Sequence, residues 1–396
     1  MIKIPENKYL NLSEEHYNYI SDYIKDSIQF YINCCDIWQG KILATEYRRN
    51  LSTNITEKRI YKLLRVICDC LPPKMKAAVF FQERYKLQNL KQEFRTQIFI
   101  YKSLLCELLE SSSTIYLKRI IVGDPYEENK IMQYLAHNYK NILDSKGDCV
   151  FDAKGIKKSI IYDILKNCFD YDRFSGKNTS MSYSNTWNAY ELCKKLNIRV
   201  CPYCNRNEIV TVISSSGKYI CRPELDHYMP QSLFPIFSVS FFNLIPCCKS
   251  CNSSIKGGEY LDITKYYHPY LDGIEKAMFS YRPLSVEAFE GNPTAVEVII
   301  KSDIGNKYED TINKFKLKEV YKEYNKVVAD MLCKRQKYSL GTIEEMKKSI
   351  GIISESKENI INLLFDVCKT ADIIDTPLGK MKRDLVDEFY NSQIDI

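Results

Sequence analysis

The chain has 396 residues, 45% of them hydrophobic and 27% charged, which suits a globular protein with room for two or three cores. Sixteen cysteines without an apolar export segment behind Met1-Ile-Lys-Ile-Pro5 exclude a disulfide-dense secreted scaffold, and no apolar run approaches the roughly 18 residues of a membrane span. A cytoplasmic setting with reduced or metal-bound thiols is expected, and the net charge of +6 permits contact with nucleic acid without requiring it.

In chain order, Ser13 is placed to cap a helix that carries Glu14 and Glu15 in its first turn and an apolar stripe at Tyr17, Ile20, Ile24, Ile28 and Tyr31. Amphipathic stretches recur near 58–68, 76–110, 128–143 and 156–168, punctuated by Leu71-Pro-Pro73, Gly123-Asp-Pro125 and Lys146-Gly-Asp148. These define a helical N-terminal domain over 1–185. A polar run between Phe174 and Ser184 reads as a linker, and a short helix bearing Trp187, Tyr190 and Leu192 leads into Cys201. The texture then changes to clustered Cys, Pro, Asn and Gly, with β-type runs at 209–213 and 218–221 around a Ser-Gly turn. This loop-rich module spans 186–275. The C-terminal region, 276–396, is expected to hold two strands (278–282 and 295–300), then a long helix with Leu317, Val320, Tyr324, Val327 and Met331 on one face, then further helices. The fold class is α+β: a mainly helical chain with a small inserted module.

The strongest chemical signal is the pair Cys201-Pro-Tyr-Cys204 and Cys248-Lys-Ser-Cys251, with 43 residues between them. Each C-x-x-C forms a tight knuckle, and two knuckles supply the four thiolates of a closed tetrahedral zinc site. Such a site has no open position for a reactive water, so its role is structural: it holds together a segment without an adequate apolar core. Cys247 and Cys221 fall outside this spacing and are assigned to packing.

Between the knuckles lie Leu225-Asp-His227 with Pro230 and Ser232, then Asn243-Leu-Ile-Pro246, and Asn252 and Lys256 follow the last cysteine. The order C-x-x-C, L-D-H-x-x-P, N-L-I-P-x-C-x-x-C-N-x-x-x-K resembles the HNH endonuclease family in its zinc-bearing ββα-metal form, over about a fifth of the chain. The resemblance implies an insertion of ββα-metal fold that hydrolyses phosphodiester bonds of DNA. It implies His227 as general base, a task suited to an imidazole that titrates near neutrality. It implies Asp226 as carboxylate ligand of the catalytic cation and Asn243 as the residue that fixes the loop and orients the histidine or its water. The last motif position is Asn252 where histidine is usual. An amide oxygen beside a carboxylate suits Mg2+ or Mn2+ better than softer ions. Lys256 stands where many members carry a basic residue that contacts phosphate, and it serves equally as a helix C-terminal charge beside Gly257 and Gly258. His268 is expected to pack rather than to join the site, and His16 and His137 to lie in helices without a chemical role.

The motif with its flanks, Trp187 and Cys193 ahead of Cys201-Pro-Tyr-Cys-Asn205 and His268-Pro-Tyr270 behind, is similar to HNH proteins of bacterial defence loci, including the nuclease subunit of Septu-type anti-phage systems and retron-associated effectors. That likeness implies phage or plasmid DNA as substrate and an ATPase as protein partner. Residues 199–275 hold seven basic and seven acidic side chains, so the module is neutral and the affinity for a polyanion must come from the flanks or another chain. The lysine-rich stretch 317–338 is one source, although Glu319, Glu323 and Asp330 interleave its charges. Two other readings stand beside the nuclease: a nonenzymatic zinc module that binds DNA or protein, and a restriction endonuclease that reads modified bases through the N-terminal domain.

Overall fold

The computed structural model describes residues 1–40, 57–69, 90–176, 187–274, 276, 278–301, 305–350 and 356–391. The expected helical positions 76–89 and most of the expected linker, 177–184, lie outside these residues. The described chain combines helices with four two-stranded sheets, as an α+β protein does. It forms two compact units. The helical unit is Tyr9–Lys195 with Asp226–Ile245, and the mixed unit is Met1–Lys8, Leu196–Leu225 and Pro246–Ile396. The division therefore runs through the cysteine module instead of along its edges.

The helical unit is built on α1 (Leu12–Trp38), with α2 (Glu57–Ile67), α3 (Gln92–Leu109), α4 (Leu117–Val122), α5 (Pro125–Asn138), α6 (Ile160–Cys168) and α7 (Tyr171–Ser175) following. The 3.6-residue period puts Ile20, Ile24, Ile28 and Tyr31 on one face of α1, all fully buried, where α3, α4 and α6 pack. Each buried isoleucine contributes about 1.5–3 kcal/mol over exposure. Ser13 is not the cap of this helix: α1 begins at Leu12, and the Ser13 hydroxyl turns back to the Leu10 carbonyl. Sequence caps operate elsewhere. Asp124 accepts from the backbone N–H groups of Tyr126 and Glu127 at 2.9 Å, with Pro125 at the first helical position of α5, so the Gly123-Asp-Pro125 break is a helix start. Ser159 caps α6 through Tyr162 N, and Asp170 caps α7 through Arg173 N. The hairpin of β1 (Phe151–Asp152) and β2 (Gly155–Ile156) meets the 228–243 loop at Leu233. Gly155, at φ +153°, is where the chains come closest, since a Cβ there would stand 3.2 Å from Leu233 Cβ. The helix carrying Tyr190 and Leu192, α8 (Ala189–Leu196), closes this stretch.

The mixed unit contains β3 (Val212–Ile213) paired with β4 (Tyr219–Cys221), a shorter and less regular hairpin than 209–213 and 218–221 suggest. The strands β5 (Glu224–His227) and β6 (Leu244–Cys247) form the next sheet and each passes from one unit to the other. Further on, β7 (Phe279–Pro283) and β8 (Val296–Ile300) run antiparallel, Phe279 opposite Ile300 and Pro283 opposite Val296. The expected long helix does not form as one piece. After α9 (Asn306–Lys314) it is divided into α10 (Leu317–Tyr321), a 3-10 turn at Lys322–Tyr324 and α11 (Asn325–Lys337). The tightened turn separates two anchors: the Tyr321 hydroxyl donates to the Cys204 carbonyl at 2.6 Å, and the Asn325 side chain accepts from Val298 N at 3.0 Å. α12 (Leu340–Ile350), α13 (Lys357–Phe365) and α14 (Gly379–Asn391) finish the unit. On α14 the buried Asp384 accepts from the N–H groups of Met278 and Phe279 and from Lys380 Nζ, so its charge is fully compensated.

One buried histidine makes the helical unit sensitive to acid. His16 on α1 accepts the Trp187 indole N–H at Nδ1 (3.0 Å) and donates from Nε2 to the Val239 carbonyl (2.8 Å). An indole only donates and a carbonyl only accepts, so the ring is held neutral. Burial lowers its pKa from 6.5 to about 4. Between these values the unfolded chain takes up a proton that the folded chain refuses, so stability falls as pH drops from about 6.5 to 4, by about 3 kcal/mol in all. Denaturant unfolding of wild type and His16→Gln between pH 7 and 4.5 is expected to show a weaker protein at neutral pH but a shallower loss toward acid for the variant. Identical slopes would contradict this account.

Candidate active site and metal centre

In the mixed unit the four predicted thiols meet. The sulfurs of Cys201, Cys204, Cys248 and Cys251 lie within 4.8 Å of one another and all four residues are buried. Cys204 and Cys248 Sγ are 4.0 Å apart, close to the about 3.8 Å edge of a tetrahedron with Zn–S bonds of about 2.3 Å. Burial raises the pKa of the Cys201 thiol, and four thiolates in one dry site repel each other unless a cation holds them. The donor set and its closure therefore fit a structural zinc.

The first knuckle is braced on every side. Cys201 O accepts from Asn205 N, Cys201 N donates to Asn207 O, and Pro202 O accepts from Ile2 N. Tyr203 is buried and stacked on Phe315, ring centroids 4.4 Å apart. Asn205 holds a left-handed φ of +52°, a conformation asparagine tolerates. Its amide donates to Ile373 O and accepts from Lys380 N, while its carbonyl accepts from Leu378 N. A single residue after the second cysteine thus fastens the knuckle to the C-terminal helix. No described cysteine is disulfide-bonded. Cys247 is fully buried, as a packing role requires, but Cys221 is exposed on β4 and does not pack.

The second knuckle runs into a π-helical turn, Ser250–Lys256, closed by an N–H bond from Gly257 to Asn252 O at 2.8 Å. π-Turns of this kind concentrate at functional sites. Asn252 sits in this turn, where its Nδ2 donates to Glu224 Oε2 at 2.8 Å, and the Ser253 hydroxyl donates to the same oxygen at 3.0 Å. Lys256 is buried, with 2% of its surface exposed, so its ammonium is not displayed as a solvated charge at the helix end. His268 is fully buried and accepts from Tyr270 N at Nδ1, in keeping with packing.

In the helical unit, Asp226 and His227 end β5, and Asn243 immediately precedes β6. Asp226 is buried and His227 half-buried. His227 Nε2 donates to the Ser238 carbonyl at 2.9 Å. Since a carbonyl has no hydrogen to offer, the proton resides on Nε2, and in the neutral ring the lone pair is on Nδ1. The Tyr171 ring packs edge-on against the imidazole, centroids 4.4 Å apart. Asn243 is fully buried and directs its side chain at backbone alone: Oδ1 accepts from Met229 N (2.7 Å), and Nδ2 donates to Met229 O (3.1 Å) and Phe237 O (2.9 Å). Its own carbonyl accepts from Tyr228 N. It fixes the loop on both flanks of the histidine's hydrogen bond. The loop is pinned again by Phe241 N to Ile121 O and by the Ser238 hydroxyl to Phe169 O. Ser240 donates to Glu128, whose carboxyl is fully buried and pushed up to about 8, chiefly by burial. At neutral pH it is the protonated acid.

Three participants escape sequence reasoning. Glu224 carried a weak signal, because two-residue alternation along β5 puts it on the face of Asp226. Tyr171 lies more than fifty residues before His227 and the Ser238 contact is made by backbone, so neither has a signature. The basic stretch 317–338 is partly spent on structure: Lys334 Nζ donates to Leu364 O, and Arg335 donates to Phe389 O and stacks on Tyr390. No described helix is long and apolar enough to cross a membrane.

Among known proteins, the chain is similar to protein Ea31 of Escherichia phage lambda, 28% identical over 105 residues. The match spans 25% of this chain and 35% of the phage protein. No family model matches, and no solved structure does.

Metal analysis of freshly purified protein is expected to give about one zinc per chain. Cys204→Ser is expected to lose the metal and to lower the melting temperature of the mixed unit by many degrees, because metal-binding free energy here is folding free energy. Zinc well below one per chain in wild type would overturn the knuckle assignment.

Proposed function

We propose that this chain is a metal-dependent HNH endonuclease that hydrolyses phosphodiester bonds of DNA and serves as an anti-phage effector together with an ATPase partner. The observation that supports this best is the His227–Ser238 hydrogen bond. It presents Nδ1 as the basic atom and holds the ring at one orientation, and Asn243 locks the loop that carries the acceptor. A core histidine needs no such alignment with an adjacent acid and a motif asparagine.

In this reading, a water beside the scissile phosphate gives its proton to His227 Nδ1 as its oxygen attacks phosphorus. The resulting imidazolium is stabilised by the Ser238 carbonyl, whose dipole already faces Nε2–H. Tyr171 limits rotation of the ring. Asn243 is a positioning residue. Asp226 and Asn252 are the proposed ligands of Mg2+ or Mn2+, and Glu224 holds the Asn252 amide nitrogen so that Oδ1 is the atom left for coordination. The cation supplies positive charge for the phosphorane and for the departing 3′ oxygen. The neutral charge of residues 199–275 supports a division of labour in which the flanking segments or the ATPase retain the DNA.

Plasmid nicking in Mg2+ or Mn2+ tests the proposal, with the ATPase of a neighbouring gene added where the chain alone is inert. His227→Ala at equal zinc content is expected to cut at least 100-fold more slowly than wild type. Equal residual cutting by both proteins would contradict it.

A further inference from the structure

A buried carboxyl faces the loop on which His227 leans. Glu128 on α5 is 0% exposed. Among the described residues its one hydrogen-bond donor is the Ser240 hydroxyl, on Oε1, while Oε2 is buried without a partner. Two other buried carboxylates show what a charge requires in this chain. Asp384 accepts from Lys380 Nζ and from two backbone N–H groups, and Asp170 accepts from Lys62 Nζ and the Arg173 N–H. Glu128 has neither an ammonium nor a backbone donor. A single hydroxyl does not replace the water that an ionised carboxylate gives up, so the closed structure requires the neutral acid.

The elements packed around it supply no compensation. Lys118 and Arg119 lie on α4 and Asp152 on β1, both of which pack against α5; Glu107 on α3 is bonded to Tyr134 farther along α5, and His16 meets the loop at Val239 as a neutral ring. None of these acts on Glu128. Burial chiefly, and then the negative charge of Asp124 one turn earlier on α5, hold the carboxyl up at about 8 against the opposing effect of the Ser240 bond. Ser240 itself is well placed to transmit a change. It lies two residues after Ser238, whose carbonyl accepts from His227 Nε2, and one before Phe241, whose N–H bonds Ile121 O on α4. An ionised Glu128 must gain water, and the loop has to part from α5 to admit it.

We propose that Glu128, held as a neutral acid against Ser240, is a proton-controlled latch that positions the Ser238 carbonyl and, through it, His227. The bearing on catalysis rests on the nuclease reading; the latch itself does not. Its direction follows from two proton affinities. In the closed loop the carboxyl stands near 8, and in an opened loop it returns to the usual 4.5. Between these values opening releases a proton, so the loop opens more readily as pH rises. The trend ends near pH 8, where the closed form ionises as well.

The test is hydrogen exchange of peptides covering 228–243 in the full chain, corrected for the intrinsic effect of pH, for wild type and Glu128→Gln. Glutamine keeps an acceptor for Ser240 and has no proton to titrate. Between pH 6.5 and 8 the protection of wild type is expected to fall about tenfold relative to that of Glu128→Gln, His16 contributing equally to both proteins. Equal slopes overturn the latch. If the glutamine variant does not fold, the infrared band of a neutral carboxylic acid in wild type carries the test. Its presence at pH 7 and loss by pH 9.5 supports the latch, and its absence at pH 7 overturns it. The link to His227 is read from plasmid cutting as the ratio of rates at pH 9 and pH 8, which is expected to be about fivefold lower in wild type than in Glu128→Gln. Equal ratios overturn the positioning role. The two readings separate cleanly. A wild-type chain that never cuts, or a His227→Ala protein that still does, defeats the nuclease while leaving the exchange result standing, and an inert His227→Ala beside equal exchange slopes does the reverse.

Discussion

Three consecutive carbonyls organise the candidate site. Phe237 O accepts from Asn243, Ser238 O from His227 and Val239 O from His16. The following hydroxyl, Ser240, donates to Glu128. The first of the three ends a 3-10 turn at Pro235–Phe237 and also accepts from Ser240 N; the remaining capacity of these carbonyls is taken up by side chains from α1, the end of β5 and the residue before β6, while α5 takes up the Ser240 hydroxyl. The consequence is mutual: the loop is rigid because two histidines, an asparagine and a carboxylic acid hold it, and His227 is aligned because the loop is rigid. His227, at the end of β5, is thereby held in one orientation.

The mixed unit solves a related problem differently. Around Cys201 and Cys248 four converging thiols join buried apolar side chains such as Val200, Ile209, Leu261 and Ile263, with Asn205, Tyr203 and Tyr321 as braces. A closed four-sulfur site contributes no reactivity. It fixes where the π-helical turn begins, and with it the position of Asn252 and its bond to Glu224.

Much of this was legible from residue order, and the reasons for success and failure are physical. Knuckle cysteines are constrained by spacing, so their convergence followed from two C-x-x-C pairs. The α1 stripe followed from the helical period, and β7 and β8 from alternation. Ser13 misled because a helix start depends on which backbone N–H groups are left open, and Leu12 entered the helix first. The 317–338 segment reads as one helix because propensity is local, whereas its break comes from long-range anchors at Cys204 and Val298. Cys221 was assigned to packing because it falls outside the knuckle spacing, but it is exposed on a two-stranded hairpin, which buries little. The carbonyl of Ser238 was invisible because every residue has a carbonyl.

The chemistry of the cut ends tests the central claim most directly. If His227 deprotonates a water that attacks phosphorus and expels the 3′ oxygen, DNA incubated with wild-type chain and Mg2+ will carry 5′-phosphate and 3′-hydroxyl termini that a ligase can reseal, and His227→Ala will yield none. DNA left intact under every metal and partner condition, or the same termini from the His227→Ala protein, would contradict the account.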